Sequence, residues 1–236
     1  MTSRDPSKTG LLTAANEVPV VFVVDDDVSV RESLELLIAS AGWKAQTFES
    51  AQSFLDCPRV HAASCLLLDV SMPGLNGLEL QKRVASERSD MPIIFITGHG
   101  DVPTTVQAMK AGAVEFLTKP LRTDVLICAI ACALERSRIA LEHEEQMQAL
   151  RDRYASLSKR EREVMALVVV GLLNKQVGSE LGISEITVKA HRGKLMQKMN
   201  AASLPDLVIM SARLGIPSGS GAGIGRRSAA KLGMVR

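Results

Sequence analysis

Cys65-Leu66-Leu67-Leu68-Asp69-Val70-Ser71-Met72-Pro73-Gly74 is the stretch on which the fold turns. The apolar run Cys65 to Leu68 reads as a buried strand, and Pro73 and Gly74 mark a loop after it. A lone carboxylate, Asp69, therefore stands where strand passes into loop. Three other stretches repeat the arrangement: Asp25 and Asp26 follow Val20 to Val24, Thr97 follows Ile93 to Ile96, and Lys119 comes just after Val114 to Leu117. Strands are expected near residues 20–24, 45–48, 64–68, 93–97 and 114–117, with helices near 28–41, 51–56, 77–88, 102–111 and 122–135. Strand and helix in strict turn mean an α/β doubly wound domain, a parallel sheet covered on both faces.

In such a sheet the C-terminal strand ends converge on one crevice, so Asp25, Asp26, Asp69, Thr97 and Lys119 are expected to share it. Taken singly, each is an ordinary solvated loop residue. Their coincidence at four strand ends argues for a site. Close carboxylates repel and call for a cation, and an all-oxygen set with room for water suits magnesium. Magnesium invites phosphate. Asp69 is then placed to attack a phosphoryl group, with the Lys119 ammonium neutralising charge on the transferring oxygens and Thr97 hydrogen-bonding one of them.

Val24-Asp25-Asp26-Asp27, Leu68-Asp69-Val70-Ser71-Met72-Pro73-Gly74, Ile96-Thr97-Gly98-His99-Gly100-Asp101 and Phe116-Leu117-Thr118-Lys119-Pro120 together resemble the receiver domain of two-component response regulators, in particular its FixJ-like branch. The resemblance runs over residues 19–135 and implies a flavodoxin-like fold. It also implies that Asp69 is the phosphoacceptor. Asp25, Asp26, Asp69 and the backbone carbonyl of Ser71 would hold Mg2+, Lys119 would contact the phosphoryl group, and Thr97 and Phe116 would form a switch pair. A sensor histidine kinase is the implied partner.

A chain of 236 residues is long enough for two domains, and with 3% aromatic residues their cores must be aliphatic. Cys57, Cys65, Cys128 and Cys132 show no CxxC spacing, which argues for reduced thiols; Cys128 and Cys132, one helical turn apart, are read as packed small hydrophobes rather than a redox pair. Residues 1–18 are polar, read as disordered, and do not resemble a signal peptide. No segment reaches the roughly 18 apolar residues of a membrane span. A cytoplasmic protein without a membrane partner is expected.

Residues 136–155, rich in Glu, Arg, Gln, Leu and Ala, read as a helical linker; its leucine pairs are out of phase, which argues against a continuous coiled coil. A small all-α helix-turn-helix domain is expected over residues 156–216. Ser158 and Glu161 form a capping box before Val164 to Val170, and Gly171 stops that helix. Asn174 is expected to cap a second helix, Lys175 to Leu181. Gly182 turns the chain into a third, capped by Ser184 and ending near Met199; a fourth follows, capped by Ser203 and stopped at Gly215. Nine Lys or Arg stand against five acids between Ser156 and Gly215, a net of +4 in a chain of net +2, so basic charge is concentrated here and in the tail. Val188, Leu195 and Met199 share one face of the third helix, while Ile186, Ala190, Gly193 and Gln197 share the other, flanked by Lys189, Lys194 and Thr187.

Leu157-Ser158-Lys159-Arg160-Glu161-Arg162-Glu163-Val164, Gly171-Leu172-Leu173-Asn174-Lys175 and Leu181-Gly182-Ile183-Ser184-Glu185-Ile186-Thr187-Val188-Lys189-Ala190-His191-Arg192 resemble the DNA-binding domain of LuxR-type regulators. The resemblance implies that the third helix enters the major groove of double-stranded promoter DNA. Lys189, Ala190 and Gly193 would then lie nearest the bases, with Arg192 and Lys194 beside them and Lys175, Thr187 and Lys198 on backbone phosphates. Residues 217–236 read as a disordered basic tail.

The joint expectation is a phosphorylation-dependent transcriptional regulator, an activator and not an enzyme, which forms a homodimer on phosphorylation and has RNA polymerase as a further partner. Two alternatives stand beside it: a constitutive DNA-binding regulator with a non-switching receiver, and an aspartyl-phosphate phosphotransferase. The intact set Asp25, Asp26, Asp69, Thr97 and Lys119 argues against the first. Ser71, where haloacid-dehalogenase-type enzymes carry a second Asp, argues against the other.

Overall fold

The computed structural model describes residues 17–88, 90–98 and 102–216. Most of the expected disordered N-terminal segment, the basic tail and His99 to Asp101 lie outside the described residues. The chain divides into two compact units, Met1–His143 and Glu144–Arg236.

In the first unit β1 (Val20–Val24), β2 (Lys44–Phe48), β3 (Ser64–Asp69), β4 (Ile93–Thr97) and β5 (Glu115–Thr118) form one parallel sheet of order β2-β1-β3-β4-β5. The continuous apolar runs are explained by burial on both faces. Phe22, Val24, Leu66, Leu68 and Phe95 point to one face, where they meet Phe54 of α2 (Ala51–Leu55), Leu80 and Val84 of α3 (Gly77–Glu87) and Ala108 of α4 (Val102–Lys110). Val21, Val23, Leu67, Ile94 and Ile96 point to the other, against Leu34 and Ile38 of α1 (Val28–Ser40) and Leu126 and Ile130 of α5 (Thr123–Ala155).

Helix α5 runs on through residue 135, where the linker was expected to begin, without a break. Ser137 is fully buried and its hydroxyl accepts from the Ser64 N–H at 3.0 Å, so the turn beyond residue 135 packs on the first unit. Cys128 and Cys132 are exposed, not packed, because the buried stripe of α5 passes through Leu126, Ile130, Ala133 and Leu134 and leaves both thiols on the opposite face. Cys65 is buried in β3, which pushes its thiol up to about 12.

The second unit contains α6 (Lys159–Val168), α7 (Asn174–Leu181), α8 (Glu185–Met199) and α9 (Leu204–Arg213) around Val164, Met165, Val168, Val177, Val188, Leu195, Met199 and Leu207. Ser158, Ser184 and Ser203 cap α6, α8 and α9 as expected. Asn174 does not cap α7. It is the first helical residue, Leu173 holds the cap position, and the Gln176 side chain accepts from the Leu173 N–H at 2.8 Å. Gly182, at φ 66°, supplies the left-handed residue that turns α7 into α8.

Candidate functional site

The strand register brings the carboxylates together. Val24 of β1 lies beside Leu68 of β3, so Asp25 and Asp69, each one residue further on, emerge next to each other at the point where the strand order reverses. Asp25, Asp26 and Asp69 each present an oxygen within 4.8 Å of the others. Asp25 is fully buried and Asp69 nearly so, whereas Asp26 faces solvent. From just past the end of β5, Lys119 reaches in to place its Nζ 2.8 Å from Asp25 Oδ2 and 3.5 Å from Asp69 Oδ2.

Burial is the main cause that pushes the Asp69 carboxyl above its ordinary range; the Asp25 charge adds to it, while Lys119 and the Ser71 N–H pull the other way. Burial works to lower Lys119 as well, but the Asp25 and Asp69 carboxylates outweigh it and hold the ammonium above its usual value. The cluster thus has more negative charge than one ammonium satisfies, an all-oxygen donor set and one open side. That fits a small hard cation that retains water, such as magnesium.

Thr97 closes β4 fully buried, in register with Thr118. Phe116 is half-buried on β5, its ring 6.1 Å from that of Phe95. The Ser71 N–H donates to Asp69 Oδ1 at 3.4 Å.

Two residues of this region were not anticipated. Arg31 Nη1 donates to the backbone carbonyls of Asp25 at 2.7 Å and Asp26 at 3.0 Å, which pins the acidic loop. Side chains on a helix lean toward its N-terminus, so an Arg in the first turn of α1 was the available signal. Gly77 starts α3 so close to β3 that an added Cβ would lie 2.4 Å from the Asp69 carbonyl. Its place beside Asn76, which caps α3, gives no hint of that approach.

The second candidate site is the surface of α8. Lys189, Ala190, Gly193 and Lys194 are exposed there, as is Lys175 on α7. Thr187 is exposed and shares a 2.8 Å hydrogen bond with the Ser184 hydroxyl. Arg192 is half-buried and donates to Asn174 Oδ1 at 3.1 Å. Lys198, expected on phosphate, is committed elsewhere: its ammonium lies 2.7 Å from Glu161 Oε2 and 3.2 Å from the Ser156 carbonyl. Lys198 and the Ser158 N–H hold the buried Glu161 carboxyl down to about 2. The α7–α8 approach depends on Gly178, another residue missed in the sequence, whose Cβ would lie 2.8 Å from the Ile183 carbonyl.

Known proteins share both halves. Residues 21–131 match the family described as response regulator receiver domain, and residues 155–211 match bacterial regulatory proteins of the luxR family. Nodulation protein W of Bradyrhizobium diazoefficiens is 50% identical over 204 residues, 86% of this chain and 90% of that protein. The transcriptional regulatory protein FixJ of the same organism is 44% identical over 196 residues, 83% of this chain and 96% of its own. The solved structure of response regulator StyR superposes with a TM-score of 0.76 at 46% identity, covering 84% of this chain and all of that one. The chain therefore belongs to the two-component response regulators, in the branch that joins a receiver domain to a LuxR-type DNA-binding domain and regulates transcription in dependence on phosphorylation.

Proposed function

We propose that Asp69 is the phosphoacceptor of this regulator. The observation that carries the reading is the cluster of Asp25, Asp26 and Asp69 with Lys119 bridging Asp25 and Asp69. A carboxylate oxygen of Asp69 attacks phosphorus in the phosphohistidine of a sensor kinase, the new O–P bond forms as the P–N bond breaks, and the imidazole leaves. Asp25, Asp26, Asp69 and the Ser71 carbonyl would hold magnesium, which when bound would neutralise charge on the phosphoryl oxygens. Lys119 keeps its proton and contacts one of those oxygens. Arg31 keeps the acidic loop in place through the carbonyls of Asp25 and Asp26.

Thr97 then moves toward the phosphoryl oxygens and Phe116 turns into the space it leaves, which alters the surface of α4, β5 and α5. Two receivers pair on that surface, and two α8 helices reach adjacent half-sites in promoter DNA. Lys189, Ala190 and Gly193 lie nearest the bases with Lys194 beside them, while Lys175 and Thr187 take backbone phosphates. Arg192, half-buried and turned toward the core side of α8, stays with the Asn174 carboxamide instead. Lys198 stays with Glu161 and is left out of the DNA contacts. The protein acts in the cytoplasm as an activator, with RNA polymerase as a further partner, and is not an enzyme; no helix among the described residues is long and apolar enough to cross a membrane.

The test is intact mass and DNA affinity at fixed salt, before and after acetyl phosphate with magnesium, for the wild type and Asp69→Ala. One phosphoryl adduct on the wild type alone, with tighter DNA binding, is the expected result. Equal binding with no adduct refutes the reading in favour of a constitutive binder.

A further inference from the structure

Ile186 of α8 is 80% exposed, more than any other large hydrophobic side chain among the described residues. Ala190 and Gly193 follow it at intervals of four and three, so at about 100° per residue the three fall on one line of the helix. That line runs opposite Val188, Leu195 and Met199, which are buried in the core. Lys189 flanks it on one side, and Lys194 and Thr187 on the other; all three are exposed.

The folding of the unit explains neither end of this stripe. Ile186 is absent from the core cluster, and a β-branched side chain in the first turn adds nothing to helix propensity. Gly193 is helical, and a Cβ built on it meets no atom within 4 Å, so no neighbour requires a glycine there. Mid-helix glycine is unfavourable in its own right. The stripe is therefore apolar at its N-terminal end, slim at its centre and bordered by cations. Ile186, Ala190 and Gly193 offer neither donor nor acceptor to base edges; the first hydrogen-bonding side chain on their line is the exposed Gln197, a turn beyond Gly193. The apolar group that the major groove presents is the C5-methyl of thymine.

We propose that Ile186, supported by Ala190, packs against thymine methyl groups in the major groove, and that Gly193 lets the helix backbone come close enough for the contact. Thymine is then read at these positions by its methyl and not by a hydrogen bond. The proposal deepens the DNA-binding reading above and rests on it.

The test uses the full chain treated with acetyl phosphate and magnesium. A preferred duplex is selected from a pool of random sequence, and its affinity is measured by fluorescence anisotropy at fixed salt. Each thymine is then replaced in turn by uracil, which removes the methyl alone. At one or two positions uracil should weaken binding about fourfold, the factor for one buried methyl-sized group. Ile186→Ala, with unchanged helix content by circular dichroism, should weaken binding to the parent duplex at least as much, and uracil should then have no further effect. If no thymine is sensitive to uracil, or if Ile186→Ala keeps the wild-type sensitivity, the proposal is overturned. Self-association of the wild type that is lost in Ile186→Ala would then assign the residue to a second copy of the chain. Failure of the wild type to prefer any duplex would overturn the DNA-binding reading itself and the proposal with it.

Discussion

Replacing Lys198 by Met separates a structural cation from a DNA-binding one. Lys198 lies on an exposed helix surface rich in basic residues, yet its ammonium is 2.7 Å from Glu161 Oε2, and the Glu161 side chain is only 4% exposed. Met keeps the aliphatic stem and removes the charge, which leaves a buried carboxylate with the Ser158 N–H as its remaining partner at 2.8 Å. Breaking a fully buried pair costs about 3–5 kcal/mol, whereas exposed pairs contribute about 0–1 kcal/mol. With 39% of the Lys198 side-chain surface in water, an intermediate cost of about 2 kcal/mol is expected for the second unit. For a unit of this size that lowers the melting temperature by on the order of 10 °C.

The pH dependence gives an independent check. The Glu161 carboxyl is held down to about 2 from an ordinary 4.5, so the stability it contributes is fully present above about 4.5 and is lost as pH falls toward about 2. The gap between wild type and Lys198→Met should therefore be widest near neutrality and narrow over that window. Calorimetric melts of the full chain at a series of pH values, with DNA affinity measured alongside at neutral pH, provide the readout. A variant that melts like the wild type near pH 7 but loses DNA affinity and salt dependence would refute the assignment and return Lys198 to the phosphate backbone.

Asp69→Asn removes one of three crowded carboxylates; without magnesium it should raise the melting temperature of the receiver unit, and added magnesium should then stabilise it less than the wild type, both by calorimetry. Gly178→Ala places a methyl 2.8 Å from the Ile183 carbonyl and should cost about 1–3 kcal/mol, with loss of DNA binding, in denaturant melts. Gly193→Ala meets no neighbour and should stabilise α8 by up to about 1 kcal/mol while weakening DNA binding, a pairing visible in melts and anisotropy together. Cys128 and Cys132 should react with a thiol reagent in the native protein, whereas Cys65 should react only after unfolding.

Much of the receiver was legible because its strands are buried on both faces. Each reads as an uninterrupted apolar run with a polar residue at its C-terminal end, and alternation with helices leaves a parallel sheet as the consistent topology. Cap chemistry made the helix starts of the second unit equally plain at Ser158, Ser184 and Ser203, because a hydroxyl three residues before a helical N–H is a local signal. Asn174 misled for the same reason: it is a good cap residue, but Arg192, eighteen positions away in sequence, takes its carboxamide oxygen. Cys128 and Cys132 misled because two small apolar residues one turn apart fit either face of a helix, and only the packing of Leu126, Ile130 and Leu134 on the sheet fixes which face is inside.

From the sequence alone came the two-domain plan, the five strands, the acidic and basic side chains proposed for the chemistry, and the slim, basic-edged face of α8, all of which derive from local order and spacing. The tertiary structure alone decided which charges are spent internally. Lys119 on Asp25, Arg31 on the carbonyls of the acidic loop and Lys198 on Glu161 are pairings across the fold that no spacing announces. It decided too where backbones come too close for a Cβ, at Gly77 and Gly178. An ion pair or a close approach depends on distance in space, and a chain encodes such distances only through the packing of its whole core.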